Sequence, residues 1–137
     1  MLSIDYGTKR IGLATCDELE LTVTRKGTLT SQGIKRDAHR LSALADQLEA
    51  KRIIVGLPLN MSGSVSLAAK QVMKLAEQLR KLTHVPVLTW DERLTSWEAQ
   101  QRLTQRQIKP ARQKGLQDQV AACLILEDYL TQHRTRE

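Results

Sequence analysis

Four acidic side chains from three separate places in the chain are candidates for holding divalent metal ions. They are Asp5, Asp91, Glu92 and Asp118. Hard cations such as Mg²⁺ prefer carboxylate oxygens as ligands. Two such ions, about 4 Å apart, can orient water and stabilise both oxygens of a phosphoryl displacement. That chemistry needs several acids, and it needs no cluster of cysteine or histidine.

Three of these acids lie in or directly after predicted strands. Asp5 stands within the apolar run 2–6, where a carboxylate is costly to bury without a partner. Asp91 and Glu92 follow the apolar run 85–90. Open parallel sheets bind their ligands outside the carboxyl ends of the strands, which favours a site at this edge.

Asp118 lies on the inward face of a predicted C-terminal helix. Residues three, four and seven positions further on are Ala121, Ala122 and Ile125, so the acid shares a small apolar face. A carboxylate on such a face needs a cation partner. The alternative is a purely structural role in the first helical turn, where the helix dipole favours negative charge.

Structural roles remain open for the other acids as well. Asp5 could accept hydrogen bonds from the backbone of Gly7 or Thr8 in the turn that follows it. The pair at 91–92 could be a solvated loop pair bridged to Arg93. Taken together, however, the acids come from the first strand, the fifth strand and the last helix, which a sheet can bring to one edge.

The basic residues predict a polyanionic partner. The chain has a net charge of +6, and such an excess in a small domain favours nucleic acid. Lys9 and Arg10 lie next to the predicted acidic site. The stretch 99–117 contains no acid, and it is either a second surface that contacts nucleic acid or simply a solvated helix face. The basic residues of that stretch that we expect to contact phosphates are Arg102, Lys109, Arg112 and Lys114.

The polar segment 57–64 leads into a predicted helix. Backbone N–H groups at such a helix start can bind phosphate. Asn60 in this segment is therefore a candidate to contact the substrate, although a structural turn explains the segment equally well.

The hydrophobic pattern predicts an α/β fold in a single domain, 1–137, built on a five-stranded mixed sheet flanked by helices. Hydrophobic residues make up 41% of the chain and aromatic residues only 3%, so the core must be aliphatic. The predicted strands are 2–6, 11–16, 21–29, 53–55 and 85–90. The β-branched run 53–55 indicates a buried parallel strand. The predicted helices are 34–51, 65–82, one starting near 95, and 116–132, with a loop at 109–115.

The remaining chemistry-bearing residues exclude several classes of protein. Cys16 and Cys123 are far apart and have no metal-ligand spacing, and the three histidines are scattered. The chain has no signal-peptide pattern and no apolar stretch long enough to cross a membrane. These features predict a cytoplasmic protein without a membrane partner.

Four collinear stretches resemble the YqgF/RuvX family, the small Holliday-junction-resolvase-like nucleases implicated in pre-16S rRNA processing. They are IDYGTKRIGLA (4–14), IIVGLPLNMSGS (53–64), VPVLTWDERLTS (85–96) and DQVAACLILEDYL (118–130). The resemblance implies an RNase H-like fold and a nuclease dependent on Mg²⁺ or Mn²⁺, with two ions. It implies catalytic acids at Asp5, Glu92 and Asp118, with Asp91 as the alternative metal ligand to Glu92.

The resemblance also implies a nucleic-acid substrate, either pre-rRNA or branched DNA, and ribosomal or processing-factor partners. It assigns Lys9, Arg10 and Arg93 to phosphate positioning. The related RuvC resolvases carry an acid at the end of the fourth strand, where this chain reads Gly56-Leu57-Pro58. RuvC mechanics therefore do not transfer directly to this chain.

Three other functions remain open at this point. The first is a Holliday-junction resolvase acting on branched DNA, and the second is a nucleic-acid-binding module without catalysis. The third is an ATP-binding protein, because Asp5-Tyr6-Gly7-Thr8 resembles the first phosphate loop of actin-like ATPases. Those ATPases need a second lobe, for which 137 residues leave no room. The oligomeric state is also open.

Overall fold

The computed structural model of the chain describes residues 1–16, 23–59, 62–91 and 121–132. The strands are β1 Leu2–Tyr6, β2 Arg10–Cys16, β3 Val23–Thr30, β4 Ile53–Leu57 and β5 Val87–Asp91. The helices are α1 Ile34–Gln47 and α2 Leu67–Leu82, and residues 121–132 are also helical. We refer to this last stretch as the C-terminal helix.

The five strands form one mixed sheet in the order β3-β2-β1-β4-β5. β1 pairs antiparallel with β2 and parallel with β4, and β4 pairs parallel with β5. The predicted five-stranded mixed sheet flanked by helices is confirmed. Because β1, β4 and β5 run in the same direction, their carboxyl ends meet at one edge of the sheet.

The two faces of the sheet are covered by different helices. Leu2 and Ile4 of β1 pack into a core with α1 and α2, which defines the α1/α2 face. Ser3, which alternates with them, donates its hydroxyl hydrogen to the carbonyl of Ala122 at 2.7 Å on the opposite face. That second face carries a smaller core, in which Ile54 packs with residues of the C-terminal helix.

β4 is buried on both faces, which explains its sequence. Ile53 and Val55 belong to the core on the α1/α2 face, whereas Ile54 belongs to the core beneath the C-terminal helix. A central parallel strand with both faces covered reads as a continuous β-branched run rather than an alternating one. This is the run from which the sequence predicted a buried strand at 53–55.

Helix α1 ends earlier than the predicted boundary at 51, and that part of the prediction was wrong. The amide of Glu49 donates to the carbonyl of Asp46, and the amide of Ala50 donates to that of Ala45 at 2.9 Å. These two bonds close the helix in the arrangement that normally has glycine at the left-handed position. Here Glu49 takes that position with φ 52°, so the usual glycine signal for a helix end is missing.

Helix α2 begins at Leu67 rather than at the predicted Val65, because Ser66 caps it. The Ser66 hydroxyl accepts a hydrogen bond from the amide of Ala69 at 3.1 Å and donates to the carbonyl of Pro58 at 3.0 Å. One side chain thus satisfies a free helical N–H and ties the start of α2 to the segment that leaves β4.

The other boundaries agree to within two residues where they can be compared. β3 was predicted at 21–29 and runs over Val23–Thr30, and β5 was predicted at 85–90 and runs over Val87–Asp91. The predicted helix near 95, the loop 109–115 and the start of the last helix lie outside the described residues. Within the described ranges, no helix is long and apolar enough to cross a membrane.

We predict that Ser66→Ala lowers the free energy of unfolding by about 1 kcal/mol, since the variant can form neither hydrogen bond of the cap. Urea denaturation measures this directly. Ser66→Thr is the matched control, because it keeps a hydroxyl that can cap the helix. Equal stability of Ser66→Ala and the wild type would contradict the role assigned to this side chain.

Candidate nuclease site

Asp5 is the penultimate residue of β1, close to the sheet edge where the parallel strands end. It pairs with Gly12 across the β1–β2 ladder and is half-buried. Alternation along β1 places Asp5 on the same face as Ser3, which is the face of the C-terminal helix. The predicted position of Asp5, on a strand just before a turn, is confirmed.

The turn after β1 leaves room for glycine alone. The amide of Gly7 donates to the carbonyl of Arg10 at 2.9 Å, and a Cβ at position 7 would lie 2.8 Å from that same oxygen. Lys9 is exposed in this turn, and its carbonyl accepts a hydrogen bond from the amide of Ser31 at 2.9 Å. The basic pair Lys9 and Arg10 therefore lies at the same edge of the sheet as Asp5.

Asp91 ends β5 on the opposite face from Asp5. The register of β4 with β5 pairs Gly56 with Trp90 and Leu57 with Asp91. Trp90 makes an edge-to-face contact with Tyr129 of the C-terminal helix, with ring centroids 5.6 Å apart. Since neighbours in a strand point to opposite faces, Asp91 belongs to the α1/α2 face.

A second acidic centre, which the sequence did not reveal, lies behind the end of β1. Asp37 of α1 is fully buried. Its carboxylate accepts hydrogen bonds from the hydroxyls of Tyr6 and Ser31, both at 2.6 Å, and from the amide of Gln32 at 2.8 Å. Arg40 completes the cluster at 3.3 Å.

The comparisons with known proteins identify the family. The family described as RuvX, Holliday junction resolvase, matches residues 1–132. A protein of Trichormus variabilis, named as a candidate pre-16S rRNA nuclease, is 39% identical over 134 residues, covering 98% of this chain and 89% of its own length. The chain belongs to the RuvX family.

One further relative of this RuvX-family protein agrees with that assignment, and two solved structures share its fold. A protein of Syntrophus aciditrophicus with the same name is 35% identical over 95% of this chain and 87% of its own length. Thermus thermophilus RuvC superposes with a TM-score of 0.61 at 13% identity, covering 96% of this chain and 95% of RuvC. RuvC in complex with a Holliday junction substrate gives 0.59 at 17% identity, covering 96% and 94%. The likeness to RuvC confirms the RNase H-like fold.

The described part of this RuvX-family protein contains only part of the predicted site. Asp5, Asp91, Lys9 and Arg10 are described. The other predicted residues lie outside the described ranges: Asn60, Glu92, Arg93, Arg102, Lys109, Arg112, Lys114 and Asp118. Within the described residues, no three His, Cys, Asp or Glu side chains cluster closely enough to hold a metal ion.

The hydrogen bonds within the cluster set the protonation states of Asp37 and Tyr6. Burial by itself would raise the pKa of Asp37. The hydrogen bonds from Ser31, Tyr6 and the Gln32 amide, together with the charge of Arg40, outweigh burial and hold that pKa below its ordinary value. Burial and the hydrogen bond to Asp37 raise the pKa of Tyr6 to about 12. The carboxylate is therefore charged, and the phenol neutral, at physiological pH.

The Asp37 cluster fixes three elements relative to one another next to Asp5. Tyr6 ends β1, Ser31 follows β3, and Asp37 lies in the first turn of α1. Arg40 also donates to the carbonyl of Thr30 at 2.8 Å. Residue Gly33 at the N-cap of α1 makes no side-chain cap bond, so Asp37 provides the carboxylate that holds the chain entering this helix.

Sequence patterns gave little signal for Asp37. Two of its donors lie six and 31 residues away in the chain, and no local motif joins them. The nearest signal is that a carboxylate on an inward helix face needs several donors, and Ser31 stands close enough to be one of them.

We predict that Tyr6→Phe raises the pKa of Asp37 and lowers the free energy of unfolding at neutral pH by about 1.5–3 kcal/mol, as expected for a hydrogen bond to a charged group. The folded pKa of Asp37 lies below its unfolded value of about 4. This stabilisation is therefore present above about pH 4 and is lost as the pH falls through the folded pKa.

Urea denaturation over a pH series tests this, and the difference between the wild type and Tyr6→Phe should shrink in acid. Tyr129→Phe is the matched control, because it removes the other tyrosine hydroxyl, which accepts a hydrogen bond from Arg52 at 2.9 Å. A pH-independent effect of Tyr6→Phe would show that Asp37 is not the group to which Tyr6 is coupled.

Proposed function

We propose that this RuvX-family protein is a metal-dependent nuclease that hydrolyses phosphodiester bonds, and that its reaction is processing of the 5′ end of pre-16S rRNA in the cytoplasm. The observation that carries the proposal is the position of Asp5. A half-buried carboxylate stands at the carboxyl edge of the central strand, on the face covered by the C-terminal helix. The names of the relatives support the RNA substrate.

The stretch of chain between Asp118 and Ala122 is long enough to bring Asp118 to Asp5. Ser3 holds the carbonyl of Ala122 at 2.7 Å, and Asp5 lies two residues further along the same face of β1, about 7 Å away. Asp118 precedes Ala122 by four residues, which span about 14 Å at most. This short separation along the chain supports Asp118 as a second ligand beside Asp5.

Strand alternation supports Glu92 rather than Asp91 as the ligand from β5. Trp90 faces the C-terminal helix and Asp91 faces the other side. If this alternation extended one residue beyond β5, position 92 would lie on the face of Trp90, which is also the face of Asp5. We therefore assign the catalytic role to Glu92 and expect Asp91 to take no part in metal binding.

The proposed acids suit hard cations, since all of their ligand atoms are carboxylate oxygens. Asp5, Glu92 and Asp118 would hold two Mg²⁺ or Mn²⁺ ions, which supply a nucleophile from water and stabilise the charge of the phosphoryl transition state. Lys9 and Arg10, at the turn next to Asp5, would position the phosphates of the substrate. We assign further phosphate or substrate contacts to Asn60, Arg93, Arg102, Lys109, Arg112 and Lys114.

Resolution of Holliday junctions is the second candidate. The family description names that activity, and the comparison structure of RuvC holds a junction. β4 ends in Gly56-Leu57 and so offers no carboxylate at the edge next to β1. The proposed set of acids is therefore confined to β1, the end of β5 and the C-terminal region, and this set could act on either substrate.

We predict that Asp5→Asn, Glu92→Gln and Asp118→Asn each lower cleavage by at least about 100-fold, whereas Asp91→Asn cleaves nearly as well as the wild type. The substrates are a labelled RNA with the precursor 5′ leader of the small ribosomal RNA and a four-way DNA junction, each with Mg²⁺ or Mn²⁺. Asp91→Asn is the matched control, since it removes one carboxylate from the neighbouring position on the other face. EDTA should abolish cleavage.

Preferred cleavage of the RNA would select rRNA processing, and preferred cleavage of the junction would select the second candidate. An Asp91→Asn variant as inactive as Glu92→Gln would contradict the assignment from strand alternation. Unchanged cleavage in Asp5→Asn, or in EDTA, would overturn the metal-dependent mechanism itself. Binding of both substrates without cleavage under any metal would indicate a nucleic-acid-binding module.

A further inference from the structure

A groove of about 870 Å³ lies on the α1/α2 face, between the starts of the two helices and the turn after β1. Its size falls within the range of about 300–1,000 Å³ that is typical of small-molecule sites, so it can hold a nucleotide. Tyr6 and Gly7 border it on the side of the sheet. The groove therefore lies next to the predicted nuclease site but on the other face of the sheet from Asp5.

The charge of the groove is positive. Lys35 and Arg36 are exposed side chains that line it, and none of its lining residues within the described part of the chain is acidic. The nearby carboxylate of Asp37 is buried and compensated by Arg40 and three hydrogen-bond donors. Two cations in the first turn of α1 also oppose the helix dipole, an arrangement that a bound anion would relieve.

The groove also presents apolar surface between its cations and the start of α2. Leu67 lines it and is 76% exposed, the highest exposure among the large hydrophobic side chains of the described residues. Ile34, at the start of α1, and Ala68 lie in the same lining. Apolar surface beside a cationic edge matches the chemistry of a nucleotide, whose base has an apolar face and whose phosphate is an anion.

The turn after β1 connects this groove with the predicted nuclease site. Gly7 and Thr8 line the groove, and Asp5 precedes them on β1 by two and three residues. Lys9 and Ser31 are joined by a backbone hydrogen bond of 2.9 Å where the turn meets the start of α1. A nucleic-acid strand that is bound at Asp5 and passes over this turn would enter the groove.

We propose that the groove binds single-stranded nucleic acid, at the nucleotides that flank the point of cleavage. Lys35 and Arg36 bind the phosphates, and Leu67 and Ile34 pack against a base. The path of the nucleic acid from Asp5 over the turn into the groove rests on the proposed nuclease function. The binding itself depends only on the charge and the apolar surface of the groove.

The test is binding of a short fluorescein-labelled single-stranded RNA to the full chain in EDTA, measured by fluorescence anisotropy over a series of salt concentrations. We expect the double variant Lys35→Glu with Arg36→Glu to weaken binding at least about tenfold. The slope of log affinity against log salt should fall by about 0.7 for each phosphate that the variant no longer neutralises. Leu67→Ala should weaken binding at least about fivefold without changing the salt slope.

The matched control is Lys74→Glu with Lys81→Glu, which makes the same change in net charge on exposed residues of α2 that do not line the groove. Equal weakening of binding by the two double variants would overturn the proposal, because the net charge of the protein would then explain the effect without the groove. Unchanged binding in the groove variant would overturn it as well. Full competition by free uridine monophosphate at the concentration of the labelled strand would show a mononucleotide pocket instead, and would also contradict it.

This experiment separates the groove from the nuclease site. Binding in EDTA requires neither metal nor cleavage, whereas the cleavage assay of Asp5→Asn reports on the metal site. Weakened binding in the groove variant together with intact cleavage in Asp5→Asn would support the groove and refute the proposed mechanism. Normal binding in the groove variant together with abolished cleavage in Asp5→Asn would do the reverse.

Discussion

The central position of β1 is the constraint on which the rest of the structure depends. This strand pairs with β2 on one side and with β4 on the other, so its backbone register is fixed from both directions. A shift by one residue would exchange Leu2 and Ile4 with Ser3 and Asp5 between the two faces. The apolar core beneath α1 and α2 would then receive a hydroxyl and a carboxylate, which makes such a shift very costly.

The same alternation divides the sheet into two chemically different faces. On one face, Ser3 binds the C-terminal helix and Asp5 stands near the edge, where a carboxylate remains in contact with solvent. On the other face, the strand ends in Tyr6, whose hydroxyl donates to the buried carboxylate of Asp37. Asp5 and Tyr6, which are adjacent in β1, thus belong to the proposed metal site and to the proposed nucleic-acid-binding groove.

The buried carboxylate of Asp37 stabilises this arrangement because its donors come from the end of β1, from the segment after β3 and from α1 itself. A charge in the interior is tolerated only when hydrogen bonds and an opposite charge replace its water shell. Tyr6, Ser31 and Arg40 meet that requirement, and each belongs to a different part of the fold. The cluster therefore couples the end of β1 to the start of α1, the two elements between which the groove opens.

The sequence alone predicted the strands and helices of the described residues, the fold class and the family of this protein. The β-branched run at 53–55 predicted a strand buried on both faces, and the four collinear stretches predicted the RuvX family, because both signals are local in the chain. Some boundaries failed for local reasons as well, as at Glu49, where a residue other than glycine takes the left-handed conformation that ends α1.

Only the tertiary structure decided to which face of the sheet Asp5 and Asp91 belong and which residues meet at the groove. The sequence favoured Glu92 over Asp91 as the metal ligand without fixing the register of the strand, and the contact of Trp90 with Tyr129 places Asp91 on the α1/α2 face. Asp37 and the groove depend on residues from β1, α1 and α2 that are far apart in the chain. Their meeting is set by strand register and helix packing, which no pattern within a single segment contains.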